Sequence, residues 1–66
     1  MIKIRCVVER ITYQNPENGY SVLKCAVKNY NDLVTVVGNL VDVNVGSVLL
    51  IDGNWKVDAK YGRQFL

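Results

Sequence analysis

The alternation of apolar and polar residues along the first segment constrains the fold of this chain most strongly. Between Ile2 and Val8 every second residue is apolar, and the residues between them include Lys3 and Arg5. A period of two is typical of a strand with one buried face. Twelve valines and four isoleucines extend the tendency, because β-branched side chains pack well on a pleated sheet and lose rotamer freedom in helices. No long helical pattern appears, so the sequence predicts an all-β protein.

Clusters of turn-forming residues divide the chain into five short strands. Asn15, Pro16 and Gly19 mark a hairpin connection, and Asn29 and Asp32 bound the next turn. The predicted strands span Ile2–Thr12, Tyr20–Lys28, Leu33–Gly38, Ser47–Gly53 and Gln64–Leu66, with an irregular connector over Asn39–Gly46 and turns at Asp52–Asn54 and Ala59–Arg63.

A small barrel is the compact solution for five such strands in 66 residues. We expect residues 1–66 to form one domain, either a five-stranded OB-type barrel or an SH3-like barrel. Val48 to Ile51 are expected to form the core of the fourth strand, and Trp55 and Phe65 are expected to fill the interior. The fifth strand is short and ends on Phe65 and Leu66, which suggests a piece of a longer protein.

The charge balance indicates little, and the lack of a membrane-spanning run and of a leader pattern predicts a cytoplasmic location. The net charge of +2 is too weak to indicate nucleic acid by itself. No apolar run approaches the roughly 20 residues that span a bilayer, and no leader pattern precedes the first strand. Cys6 and Cys25 are expected to be free, buried thiols that lie near each other; a redox pair is the alternative.

Residue types that carry chemistry are missing or scattered. The chain has no histidine, its six carboxylates lie mostly in turns or connectors, and no glycine is followed by Lys-Ser or Lys-Thr. General acid–base pairs, zinc sites and phosphate-binding loops need such groups at fixed spacings. We therefore expect no catalysis, no small-molecule substrate and no cofactor or metal within these residues.

Aromatic and basic side chains remain as candidates for recognition. Single-stranded nucleic acid is bound by aromatic faces that stack on bases and by cations that follow the phosphates. The outward residues of the second strand and the turn near the end of the chain combine both types. The candidate nucleic-acid-binding residues are Lys24, Lys28, Lys60, Tyr61 and Arg63; the plain alternative is an ordinary solvated surface.

Several blocks of sequence resemble one family. The segments Val8–Tyr13 and Asn15–Leu23 read V-E-R-I-T-Y and N-P-E-N-G-Y-S-V-L, and Val36–Leu40 contains V-G-N-L. Gly53–Trp55 gives G-x-W, and Lys60–Phe65 gives K-Y-G-R-Q-F. Their order and spacing over nearly the whole chain resemble the start of RecD-like DNA helicases, relatives of the exodeoxyribonuclease V alpha subunit.

This resemblance implies an N-terminal OB-like domain ahead of two RecA-like motor domains. The parent would be an ATP-dependent DNA helicase or exonuclease component of recombination and repair, with ATP and Mg²⁺ bound in motor domains beyond Leu66. The partner of this domain would be single-stranded DNA or the helicase's own motor domains. A protein–protein adaptor barrel without a nucleic-acid role is the alternative.

Overall fold

Six strands make up the fold in the computed structural model, which describes residues 1–60 and 62–66. No helix occurs in this part of the chain, so the all-β prediction is confirmed. The strands lie in the order β4-β1-β2-β3-β6-β5, and every neighbouring pair is antiparallel except β3 with β6, which is parallel. The strands are β1 (Ile2–Gln14), β2 (Tyr20–Val27), β3 (Val34–Asn39), β4 (Val48–Gly53), β5 (Trp55–Asp58) and β6 (Gly62–Phe65).

Strand β1 is longer than predicted and bends on the way. It continues past Thr12 to Gln14 and pairs with both β2 and β4. Its register against β2 shifts between Val8 and Arg10 and again between Ile11 and Tyr13. Each shift acts as a β-bulge, which adds a residue to one strand and increases its twist. The bends let one strand pair with β4 through its first half and with β2 farther along.

The fourth predicted strand is followed by a strand that the sequence pattern did not reveal. Asn54 interrupts the pairing for one residue, and the segment from Trp55 to Asp58 forms β5 where no strand was predicted. Strand β4 pairs with β1, whereas β5 pairs with β6. Together β4 and β5 act as one strand with a corner at Asn54, and they connect the two ends of the sheet. The strands therefore form a partly open, five-stranded barrel of the OB type.

The interior is small and is built from several strands and the connector. Phe65 is 1% exposed, which confirms its predicted core position. Val48 and Leu50, predicted as core, are 52% and 70% exposed, because β4 alternates and only Leu49 and Ile51 pack against the interior. The buried apolar residues are Cys6, Val8, Leu23, Cys25, Val27, Val34, Val36, Val43 and Phe65.

The Asn-Pro-Glu-Asn-Gly block forms the turn between β1 and β2. Gly19 has φ 78°, a left-handed conformation that glycine adopts without a Cβ penalty. The Asn15 and Asn18 side-chain oxygens accept backbone N–H bonds from Glu17 and Tyr20, each at 2.9 Å. Such bonds are the usual reason for asparagine in turns. The connector after β3 is irregular, as predicted.

Candidate nucleic-acid interface

A row of polar side chains crosses the outer face of the barrel. Register partners place Arg10 of β1 beside Lys24 of β2, and Lys24 beside Thr35 of β3. Thr35 in turn pairs with Gln64 of β6, and Gln64 with Lys56 of β5. Directly paired residues share one face of a sheet, so the five side chains form one line about 19 Å long at about 4.8 Å per strand, in which Thr35 at the centre is buried and Arg10 and Lys56 at the ends are exposed. We call these five residues the cationic row.

The cationic row contains three cations and no carboxylate. Like charges on directly opposed residues, here Arg10 and Lys24, destabilise a sheet unless an anion lies between or above them. The Lys24 ammonium donates a 2.6 Å hydrogen bond to the Thr35 hydroxyl, which fixes its direction. Two further N–H groups of that ammonium remain for an acceptor such as a phosphate oxygen. The row is therefore suited to a polyanion.

Above the row lies a shallow groove, and two exposed tyrosines lie farther along β1 and β2. The groove encloses about 390 Å³ between Thr12, Val22, Lys24 and Thr35, and its lining is mostly apolar. Tyr13 and Tyr20 meet edge to face with ring centroids 6.1 Å apart at the hairpin end of β1 and β2. They are 52% and 41% exposed. Exposed aromatic rings next to cations are the combination that holds unpaired bases.

Beside the row, on the face of β6 that also carries Phe65, Arg63 rests on two aromatic rings. Asn29 at φ 75° turns the chain so that Tyr30 reaches Trp55, and the two rings stack at 5.4 Å. The Arg63 guanidinium lies 5.2 Å from the Tyr30 centroid and 5.1 Å from that of Trp55. Cation–π contact orients the guanidinium while its edge N–H groups stay available for hydrogen bonds.

Trp55 is half-buried rather than enclosed by the barrel. One side of its indole packs edge-on against Phe65 at 5.0 Å, and Tyr30 and Arg63 lie against the ring as well. The predicted interior position is thus only partly correct. A cavity of about 290 Å³ joins this cluster to the cationic row, and its lining residues are Lys24, Asp32, Leu33, Val34, Thr35, Trp55 and Arg63. Asp32 offsets part of the positive charge there.

The residues predicted from sequence are only partly brought together. Lys24 and Arg63 line the same cavity, and Arg63 belongs to β6 rather than to the predicted turn. Lys28 is exposed in the turn after β2 and does not line that cavity. Lys60 is exposed next to β5, and its backbone N–H donates to the Asp58 carboxylate at 2.7 Å. Tyr61 lies outside the described residues.

Two cations of the row were not among the predicted binding residues. Strict alternation along β1 directs Arg10 to the same face as Val8, but the register shift between these residues turns Arg10 outward beside Lys24. Lys56 joins the row only through β5, which the pattern did not reveal. The Asn54 interruption followed by alternation in Trp55-Lys56-Val57-Asp58 was the available signal for that strand.

The two cysteines lie side by side in the core, as expected. Cys6 and Cys25 are both free and buried, and their thiols are hydrogen-bonded to each other. Burial is the main cause that raises the pKa of Cys25 to about 12, and the neighbouring Cys6 thiol adds to it. Burial also raises the pKa of Cys6. Thiolates are the reactive form, so burial slows the chemistry of both thiols in the folded chain.

Alkylation of the folded protein at pH 8 is expected to modify Cys25 about a thousandfold more slowly than alkylation in urea, because an ordinary thiol near pKa 8.5 is far more ionised there. Mass spectrometry of iodoacetamide-treated samples measures the two alkylation rates. Equal rates in native and denaturing buffer would contradict the buried pair.

The free energy of unfolding should also fall as the pH rises above about 8.5, since the unfolded thiols lose protons that the folded thiols retain.

Two other kinds of feature are absent from the described residues. Among residues 1–60 and 62–66, no three His, Cys, Asp or Glu side chains are grouped so as to hold a metal ion. In the same part of the chain, no helix has the length and apolar character needed to cross a membrane.

The ring of strands, the small interior and the polar outer row define an OB-fold domain. Comparison with protein families agrees: the family model for the OB-fold domain of the ATP-dependent DNA helicase YrrC matches residues 1–66. The chain therefore belongs to this family of helicase OB-fold domains. Searches among curated proteins and among solved structures gave no match.

Proposed function

We propose that this domain is a non-catalytic module of a RecD-like, exodeoxyribonuclease V alpha-type helicase and that it guides single-stranded DNA. The cationic row carries the proposal, because it brings Arg10, Lys24 and Lys56 onto one line across five strands without a carboxylate among them. Phosphates would follow this row, and bases would stack on the tyrosine pair at the hairpin end. Arg63 would extend the phosphate path toward the rim.

The parent protein in this proposal is longer than the 66 residues and works in the cytoplasm in DNA recombination and repair. Its RecA-like motor domains would bind ATP and Mg²⁺, whose phosphate and metal chemistry drives the motor. The present residues contain no Gly-Lys-Ser or Gly-Lys-Thr sequence for that purpose. Their contribution is to hold the displaced or entering strand in place.

Titration of the 66-residue chain with fluorescein-labelled oligothymidylate at several salt concentrations tests the proposal. For single strands, the logarithm of the binding constant falls with the logarithm of salt concentration with a slope of about −0.7 per phosphate contacted. Contacts by the three cations of the row and by Arg63 therefore predict a slope of about −2.8. Trp55 is the sole tryptophan, and its fluorescence provides a second readout close to Arg63. Absence of binding at low salt and high micromolar protein would contradict DNA guidance and favour the adaptor role.

A further inference from the structure

A groove on the outer face of the sheet is lined by apolar groups and by one ammonium. It has a volume of about 390 Å³, and its lining residues are Thr12, Val22, Lys24 and Thr35. The buried Leu23 lies between Val22 and Lys24 on β2, so these two side chains point outward together. Lys24 and Thr35 belong to the cationic row. The groove therefore adjoins the line along which phosphates are proposed to lie.

An irregularity in strand pairing accounts for the position of Thr12. On the two sides of it, Ile11 pairs with Leu23 and Tyr13 pairs with Val22, so Thr12 is an extra residue between these two pairs. A β-bulge of this kind redirects a side chain relative to strict alternation. Thr12 thereby lies with Val22 at the groove, where its side chain is exposed.

Both threonine hydroxyls of the groove are engaged within the protein. The Thr12 hydroxyl donates a 2.9 Å hydrogen bond to the Val22 carbonyl. The Thr35 hydroxyl accepts the 2.6 Å hydrogen bond from the Lys24 ammonium. The threonine methyl groups and the Val22 side chain consequently supply the apolar part of the lining. The groove therefore offers hydrocarbon contact together with one charged donor, the Lys24 ammonium.

Among the pyrimidine bases, thymine matches this combination of groups. Its C5-methyl group lies beside the O4 acceptor on one edge of the ring, and apolar side chains, including the threonine methyl, are the usual contacts of that methyl group. Uracil has the same O4 acceptor but no methyl group. Cytosine carries an N4 amino group in place of O4, which would present a donor to the donor on Lys24.

We propose that the groove is a thymine-binding subsite, which gives the domain a preference for thymine over the other pyrimidines in single-stranded DNA. The thymine methyl group packs between Val22 and the Thr12 methyl group, and O4 accepts from one of the two remaining N–H groups of the Lys24 ammonium. Tyr20 lies two residues before Val22 on the same face of β2 and is placed for the adjacent base. The inference rests on the proposed function, because it names the base that the DNA-guiding surface prefers.

Four homopolymers of about ten nucleotides separate the methyl contact from the hydrogen bond. Labelled oligomers of thymidine, deoxyuridine, 5-methyldeoxycytidine and deoxycytidine share one backbone, and fluorescence anisotropy measures their affinities for the 66-residue chain. Burial of one methyl group predicts that the thymidine oligomer binds about fourfold more tightly than the deoxyuridine oligomer. The 5-methyldeoxycytidine oligomer should bind about tenfold more weakly than the thymidine oligomer, because its amino group leaves the Lys24 donor without an acceptor.

Two substitutions act on the methyl contact without changing the charge. Val22→Ala removes two methyl groups from the groove, so the thymidine and deoxyuridine oligomers should bind about equally. Thr12→Ser retains the hydroxyl that bonds to the Val22 carbonyl and removes only an exposed methyl group, so the fold persists and the preference should fall to about twofold. Val48→Ala is the matched control, because Val48 is 52% exposed on β4 and does not line the groove. Its preference should stay at about fourfold.

Equal affinities of the unmodified chain for the thymidine and deoxyuridine oligomers would overturn the subsite and leave the DNA-guiding function standing. A thymine preference that persists undiminished in Thr12→Ser and Val22→Ala would overturn it as well, because the methyl contact would then lie elsewhere. Absence of binding to all four oligomers would contradict the proposed function and the subsite together. The two proposals can therefore fail separately.

Discussion

Replacing Arg10 and Lys56 together by glutamate is expected to weaken binding of single-stranded DNA by about 100-fold at low salt, because each lost contact costs about tenfold and the new carboxylates repel phosphates. Both residues are exposed ends of the cationic row, so the substitutions leave the core intact. The log–log salt slope should become shallower by about 1.4. Fluorescence anisotropy with labelled oligothymidylate measures both quantities.

Lys3 and Arg5 provide the matched control. They are exposed on β1 beside β4, and their replacement by glutamate changes the net charge by the same amount, from +2 to −2. An effect of overall charge would weaken both variants equally, whereas a site on the row predicts a loss below about threefold for the control. Equal losses of affinity in the two variants would contradict a DNA-binding site on the cationic row.

Gly53→Ala should unfold the domain or shift its thermal midpoint down by about 4–24 °C. Gly53 is buried at the end of β4, next to the corner at Asn54, and it pairs with Ile2 of β1. An added Cβ would collide with the Leu66 carbonyl oxygen and would lie 2.8 Å from Phe65 Cε2. Overpacking of this kind costs about 1–3 kcal/mol, a large part of the stability of a 66-residue domain.

Gly38→Ala is the control for this substitution. Gly38 also lies within a strand, but its added Cβ meets nothing within 4 Å. Its free energy of unfolding should stay within about 1 kcal/mol of the parent or rise slightly, because alanine restricts the unfolded chain. Urea unfolding followed by circular dichroism compares the two variants. Similar midpoints for both would show that the corner at Gly53 is not closely packed.

The fold class followed from the sequence because its local signals are strong. Alternation along Ile2–Val8, the Asn-Gly turn and the irregular connector all correspond to structure. The fourth strand was misjudged, since a run of apolar residues from Val48 to Ile51 does not show which alternate side chains face solvent. That choice depends on pairing with β1, which is a nonlocal property.

The candidate site was harder to predict because it depends on register. Lys24 and Arg63 were identified from residue type, and they line one cavity. Arg10 was missed because a bulge changes the face on which it lies, and bulges leave little trace in a single sequence. Lys56 required knowledge of β5. Residue types therefore indicated the chemistry, and strand pairing determined which cations share a line.

Mapping the bound oligonucleotide by NMR tests the central claim most directly. Oligothymidylate of about ten nucleotides, within the usual site size for OB folds, would be titrated into the ¹⁵N-labelled chain. The account predicts the largest chemical-shift changes at Lys24, Thr35, Gln64 and Lys56, with small changes at Leu50 and other outward residues of β4. Changes concentrated on β4, or none along the cationic row at saturating DNA, would contradict it.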